Sequence, residues 1–225
     1  MATPESDLDR KGIFLHPTAD LYGLDRPAET YTQHEPDFEI HEIGKYLRLT
    51  LGCNPNLLEL LFLPNDCVEY TTDAWEELRG NRDRFLSESA VRSSYGGYAK
   101  QQMDRLIRRT EEGKTGFSAS ITEHRVKKHA RHCFRLFWQG KQLLETGEMD
   151  VRLDARRRGQ LFALGDLPIP EMRQYFDAAD AIFQAVPSGL PSEPDRAWVN
   201  DWLIDLRMGR VSRRVLFALP GDCLS

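Results

Sequence analysis

Close to its start the chain reads Ser6-Asp7-Leu8-Asp9, and then Gly12 leads into the apolar run Ile13-Phe14-Leu15. In an extended segment residues i and i+2 point to the same face. Asp7 and Asp9 would then project side by side, with Leu8 turned the other way toward a core. The fold must bury the apolar run and also hold two neighbouring negative charges. Carboxylates that close raise one another's pKa unless a cation lies between them. Mg²⁺ suits such a pair, because it is hard and takes oxygen ligands. The competing reading is a solvated turn near a terminus, where two charges are screened by water and do no chemistry.

The next stretches alternate between strand and loop signals. Arg10–His16 reads as a short strand stopped by Pro17. Thr18–Pro36 is polar and punctuated by Gly23, Pro27 and Pro36, which predicts loop. Asp37–Ile43 alternates as a strand does, with Phe38 and Ile40 on one side and Glu39 and His41 on the other. Ile43–Leu51 reads as a helix stopped at Gly52, and Asn54-Pro55 as the cap and first residue of a second, buried helix through Phe62. The pattern breaks around Leu63–Asp73. A boundary is expected near residues 70–80, which divides the chain into 1–75 and a mostly helical 76–225.

Within the helical part, Ile121–Trp138 is the most informative stretch. At 100° per residue, Val126, Ala130, Cys133 and Phe137 form one stripe, which predicts a core face. Arg125, Lys128, Arg131, His132 and Arg135 lie opposite, with no acid between Arg125 and Arg135. Lys128, His132 and Arg135 follow the i, i+4, i+7 spacing that gathers side chains on one face. A solvated basic surface explains this as well as an anion site does. In Tyr95-Gly96-Gly97-Tyr98-Ala99-Lys100-Gln101 the glycines allow close backbone approach. Tyr98 could stack on a base, and Lys100 or Gln101 could touch a phosphate or a base edge; a buried aromatic beside a loose helix start is the alternative. The Gly-Lys-Thr at 113–115 lacks the spacing of a phosphate-binding P-loop. Trp198, Trp202 and Leu206, four apart, predict a further core stripe.

Composition removes several classes. The 225 residues carry a net charge of −5, so any attraction to nucleic acid must come from a local basic patch. Cys53, Cys67, Cys133 and Cys223 are scattered, which argues against a zinc site or a disulfide framework and for a reducing cytoplasm. No apolar run approaches the length of a membrane span.

Four stretches together resemble the DNA polymerase beta superfamily of nucleotidyltransferases, and within it the nucleotidyltransferases associated with RNA repair. They are Ala2–Phe14, Gly52–Phe62, Tyr95–Gln102 and Lys128–Gly147. The resemblance implies an α+β fold, with a small mixed sheet and helices followed by a mostly helical C-terminal part. It also implies transfer of a nucleoside monophosphate from a nucleoside triphosphate to a hydroxyl, an RNA end being the expected acceptor. Two Mg²⁺ ions would be held by Asp7, Asp9 and a third carboxylate from a second strand. Glu39 is the candidate, with Asp37 and Glu42 as rivals. Lys128, His132, Arg135, Tyr98 and Lys100 become the nucleotide-binding candidates. The family's Gly-Ser pair is expected before Ala2, where this chain has only Met1, so a longer chain is expected upstream. Two alternatives stay open: a binding module of the same fold, holding RNA or a partner without catalysis, and a transferase acting on a small-molecule hydroxyl.

Overall fold

A computed structural model describes residues 10–35, 37–111 and 119–211. They group into two compact units. One combines the residues up to Leu86 with those from Glu193 onward, and the other is Ser87–Ser192. The fold is α+β, as the sequence predicts.

The first unit is built around three strands: β1 (Arg10–Phe14), β2 (Thr30–His34) and β3 (Asp37–Glu42). Their order is β1-β3-β2, so β3 is central. It runs parallel to β1, with Lys11 opposite Glu39, and antiparallel to β2, with Thr32 opposite Glu39. The sheet is therefore mixed. The strand β2 corrects the expectation of loop over Thr18–Pro36. Four of its five residues are exposed, so it lacks the apolar alternation by which a strand is recognised. A short 3₁₀ turn, Thr18–Tyr22, occupies the start of the same stretch.

At the end of β3 the backbone turns directly into α1 (Ile43–Leu51), the range expected from the sequence. The Glu42 carboxylate caps that helix by accepting the Gly44 N–H at 2.7 Å. Ile43, Tyr46, Leu47 and Leu51 are buried beneath it. Asn54 caps α2 (Pro55–Leu58), which tightens into a 3₁₀ turn over Glu59–Phe62. Leu57, Leu58, Leu60 and Leu61 are all buried. Next come α3 (Asp73–Gly80), capped by Thr72, and, from the far end of the chain, α9 (Arg196–Arg207). Arg207 of α9 reaches Glu42 at 3.0 Å, and its carbonyl accepts the Thr18 hydroxyl at 2.7 Å. Trp202 and Leu206 are buried as expected, whereas Trp198 lies beneath the Arg84 guanidinium, 4.9 Å from its ring centroid.

The second unit is helical. A short α4 (Glu88–Val91) opens into a π-type turn, Arg92–Gly97, and then α5 (Tyr98–Glu111). The central element is α6 (Ala119–Thr146), followed by α7 (Ala155–Gly165) and α8 (Ile169–Ala185). At 1.5 Å per residue α6 is about 42 Å long, and it packs against α5, α7 and α8. Ala130, Cys133 and Phe137 of the predicted core stripe are buried, and burial pushes the Cys133 thiol up to about 12. Phe137 meets Phe176 and Phe183 with ring centroids 4.8 and 5.5 Å away. The crossing is tight: a Cβ on Gly140 would stand 2.7 Å from Cβ of Tyr95, and one on Gly96 2.8 Å from the Phe183 ring. Cys53 and Cys133 are free and buried, while Cys67 is disulfide-bonded, which corrects the expectation of no disulfides. Among the described residues no helix is long and apolar enough to cross a membrane.

Candidate active site

In the first unit a polar cluster lies along one face of the sheet. Glu39 and His41 point the same way on β3, as their alternation predicts. Thr30 faces His41 from β2, and Lys11 pairs with Glu39 from β1. Glu39 is 45% exposed, and its Oε1 lies 3.5 Å from Nε2 of His41, which is itself almost buried.

Hydrogen-bond chemistry fixes the proton on that ring. Lys45 Nζ, which can only donate, donates to Thr30 Oγ1 at 2.5 Å. The Thr30 hydroxyl keeps one proton to give, and His41 Nδ1 lies 2.9 Å away. Nδ1 therefore accepts, and in the neutral ring the proton sits on Nε2, facing Glu39. Burial holds the His41 pKa below its ordinary value of 6.5; Glu39 pulls it up, and Lys45 and Lys11 push it further down. A neutral histidine that donates toward a carboxylate orients that carboxylate without neutralising it.

The two rivals for the third carboxylate differ sharply from Glu39. Glu42 is almost fully buried, and each of its oxygens is engaged, one by Gly44 N–H and the other by Arg207. It serves as a cap and an ion pair. Asp37 is exposed, at the start of β3 opposite His34. Asp7 and Asp9 lie outside the described residues; in the sequence they share the parity of Lys11, the register partner of Glu39. Among the described residues no group of three or more His, Cys, Asp or Glu is arranged to hold a metal ion. The described face does fit one metal ligand: the carboxylate of Glu39, accessible to solvent and steered by His41.

In the second unit, α6 carries Lys128, His132 and Arg135 on one face, with Lys128 exposed and the other two half-buried. Tyr98, the first residue of α5, brings its ring edge-on to His132, centroids 6.3 Å apart. These two candidates are thus neighbours. Lys100 lies one turn along α5 and pairs at 3.7 Å with Asp180 of α8. Arg131, on the same side of the helix as the basic residues, stacks over Phe162 of α7 at 4.3 Å, so its guanidinium contributes to packing. Gly96 makes the close approach predicted for it, although what it approaches is Phe183; a Cβ on Gly97 would meet nothing within 4 Å.

Sequence reasoning named Glu39 and His41 as co-facial but gave no role to His41, Thr30 or Lys45. The signal for them was the pairing of β2 with β3, and β2 was hidden in a polar stretch.

Comparison with known proteins agrees with this distribution. RlaP, described as the RNA repair pathway DNA polymerase beta family, matches residues 1–161. That range takes in the sheet, the Glu39 face and α6. The chain is also 27% identical, over 113 residues, to an uncharacterized 38.9 kDa protein from the nrdC-mobD intergenic region of Enterobacteria phage T4. That match covers 45% of this chain and 33% of the phage protein, so the chain spans about a third of the curated relative's length. No solved structure matches. With a match over well more than half of its length, the chain belongs to the RNA repair pathway DNA polymerase beta family.

Proposed function

We propose that the protein transfers a nucleoside monophosphate from a nucleoside triphosphate to a hydroxyl at an RNA end. The acceptor oxygen forms a new bond to the α-phosphorus, the bond from that phosphorus to the bridging oxygen breaks, and pyrophosphate leaves with that oxygen. The hydroxyl proton passes to solvent. Asp7, Asp9 and Glu39 would hold Mg²⁺, which lowers the hydroxyl pKa and stabilises the leaving oxygen when bound. His41 keeps the Glu39 carboxylate aimed and anionic. Lys128, His132 and Arg135 bind the triphosphate and balance charge as it moves toward pyrophosphate. Tyr98 offers a ring for a base, and Lys100 a further cation. In this proposal residues 1–75 supply the catalytic carboxylates and 76–225 the nucleotide and substrate contacts.

The observation that carries the proposal is the state of Glu39. Within a family of polymerase-beta type, it is the carboxylate of β3 that faces solvent beside a neutral histidine. Its buried neighbour Glu42 is committed to structure.

The test is incubation of the protein with labelled nucleoside triphosphates, Mg²⁺ and pooled RNA. Label appearing in RNA, and lost in Asp9→Asn, is the expected result. Label appearing in a small molecule instead would assign the acceptor elsewhere. Tight RNA binding with no label transferred under any nucleotide would make the protein a binding module.

A further inference from the structure

A cavity of about 850 Å³ lies within the second unit, between the C-terminal half of α6 and α7. Its size is that of a small-molecule pocket. None of Tyr98, Lys100, Lys128, His132 or Arg135 lines it.

Its walls have a particular chemistry. Trp138 and Tyr175 supply aromatic surface, and Gln139, Gln142 and Gln160 supply amides. Gln139 is 4% exposed, and its Nε2 has no hydrogen-bond partner among the described residues. A buried amide without a partner costs free energy in the empty protein, and a ligand carrying an acceptor recovers it. The rim is ordered by a chain of bonds. Gln142 Oε1 accepts the Asp150 N–H at 2.9 Å, and the Asp150 carboxylate accepts from Arg157 at 2.7 Å.

The cavity also continues the basic face. Lys128, His132, Arg135, Gln139 and Gln142 follow one another at spacings of four, three, four and three on α6, which keeps them on one side of the helix. Arg135 and Gln139 are four residues apart, about 6 Å along the axis, a step that one nucleotide can span. Cations first and then aromatic rings with amides is the order of contacts that a phosphate followed by its base requires.

We propose that this cavity receives a nucleobase, stacked on Trp138 or Tyr175 and bonded at its edge by the Gln139 amide. The base belongs to a single-stranded RNA or to a free nucleotide. The inference rests on the proposed action on RNA and nucleotides and adds a second contact point to it.

The experiment measures binding of the full protein to a dye-labelled single-stranded oligoribonucleotide and, separately, to nucleoside monophosphates, without Mg²⁺. Gln139→Leu keeps the shape and removes the unpartnered amide, so its melting temperature should equal or exceed that of the parent. Its affinity for one of the two probes should fall at least tenfold. Loss for the oligonucleotide alone assigns the base to a strand, and loss for the monophosphate alone assigns it to a free nucleotide. Gln160→Ala, at the exposed rim, should weaken the same probe even if Gln139→Leu folds poorly. Affinities within twofold of the parent for both probes in both variants would overturn the proposal. Transfer activity is read independently. Normal transfer with unchanged KM values in both variants overturns the pocket alone, and absent transfer with the tenfold binding loss overturns the proposed reaction alone.

Discussion

Glu39 and Glu42 are three residues apart and have the same chemistry, yet their surroundings give them different roles. Glu39→Gln should lower nucleotidyl transfer at least a hundredfold, because an amide neither balances a cation nor holds it. Its melting temperature should stay within a few degrees of the parent's. Arg207→Ala should do the opposite. It removes the ion pair from the buried Glu42 carboxylate and should cost roughly 1–3 kcal/mol of stability in denaturant titrations, with transfer by the folded fraction unchanged. Both variants losing activity to the same extent would sink this division. His41 makes a third prediction. Its folded pKa lies below the 6.5 of the free side chain, so as pH falls through about 6.5 the unfolded chain takes up a proton that the folded chain refuses. Stability from this group should therefore drop between about pH 7 and pH 5. His41→Gln should flatten that part of the melting-temperature profile, and an identical slope in parent and variant would refute it.

The elements differ in how plainly the sequence announced them. The helix α1 was legible to the residue, because Ile43, Tyr46 and Leu47 mark its buried side and Gly52 its end. The core face of α6 was legible for the same reason, and its basic face could be placed but not interpreted. The strand β2 was not legible. Its exposed side chains carry no period, and its place is set by backbone pairing with β3, which no local pattern encodes. The carboxylate assignment was half legible: alternation put Glu39 and His41 together, but only the distant Arg207 showed that Glu42 was already occupied. For α6, the two faces predict separable outcomes. Lys128→Ala and Arg135→Ala should each weaken triphosphate binding by roughly 1–3 kcal/mol in isothermal titration, with the helix intact by circular dichroism. Phe137→Ala should leave the cation face unchanged but cost about 3–5 kcal/mol of stability, since its ring meets Phe176 and Phe183. Unchanged affinity in both cation variants would return that face to ordinary solvated surface.

Across the whole molecule, the first unit is made from two separate lengths of chain. Its sheet and first helices come from the beginning, and α9 comes from beyond Glu193. The closure depends on Glu42 with Arg207, Thr18 with the Arg207 carbonyl, and Arg84 with Asp195 at 2.6 Å. A chain ended at Ser192 should therefore show protease sensitivity in its first 86 residues, while the core around Phe137 stays protected. Equal protection of both regions would show that α9 is dispensable. The same arrangement sets a schedule during synthesis. At about 5–20 residues per second, the ribosome needs roughly 5–20 s to make residues 87–192. For that interval the newborn sheet waits without its closing helix, so exposure to chaperones or to premature degradation falls on the part of the chain made earliest.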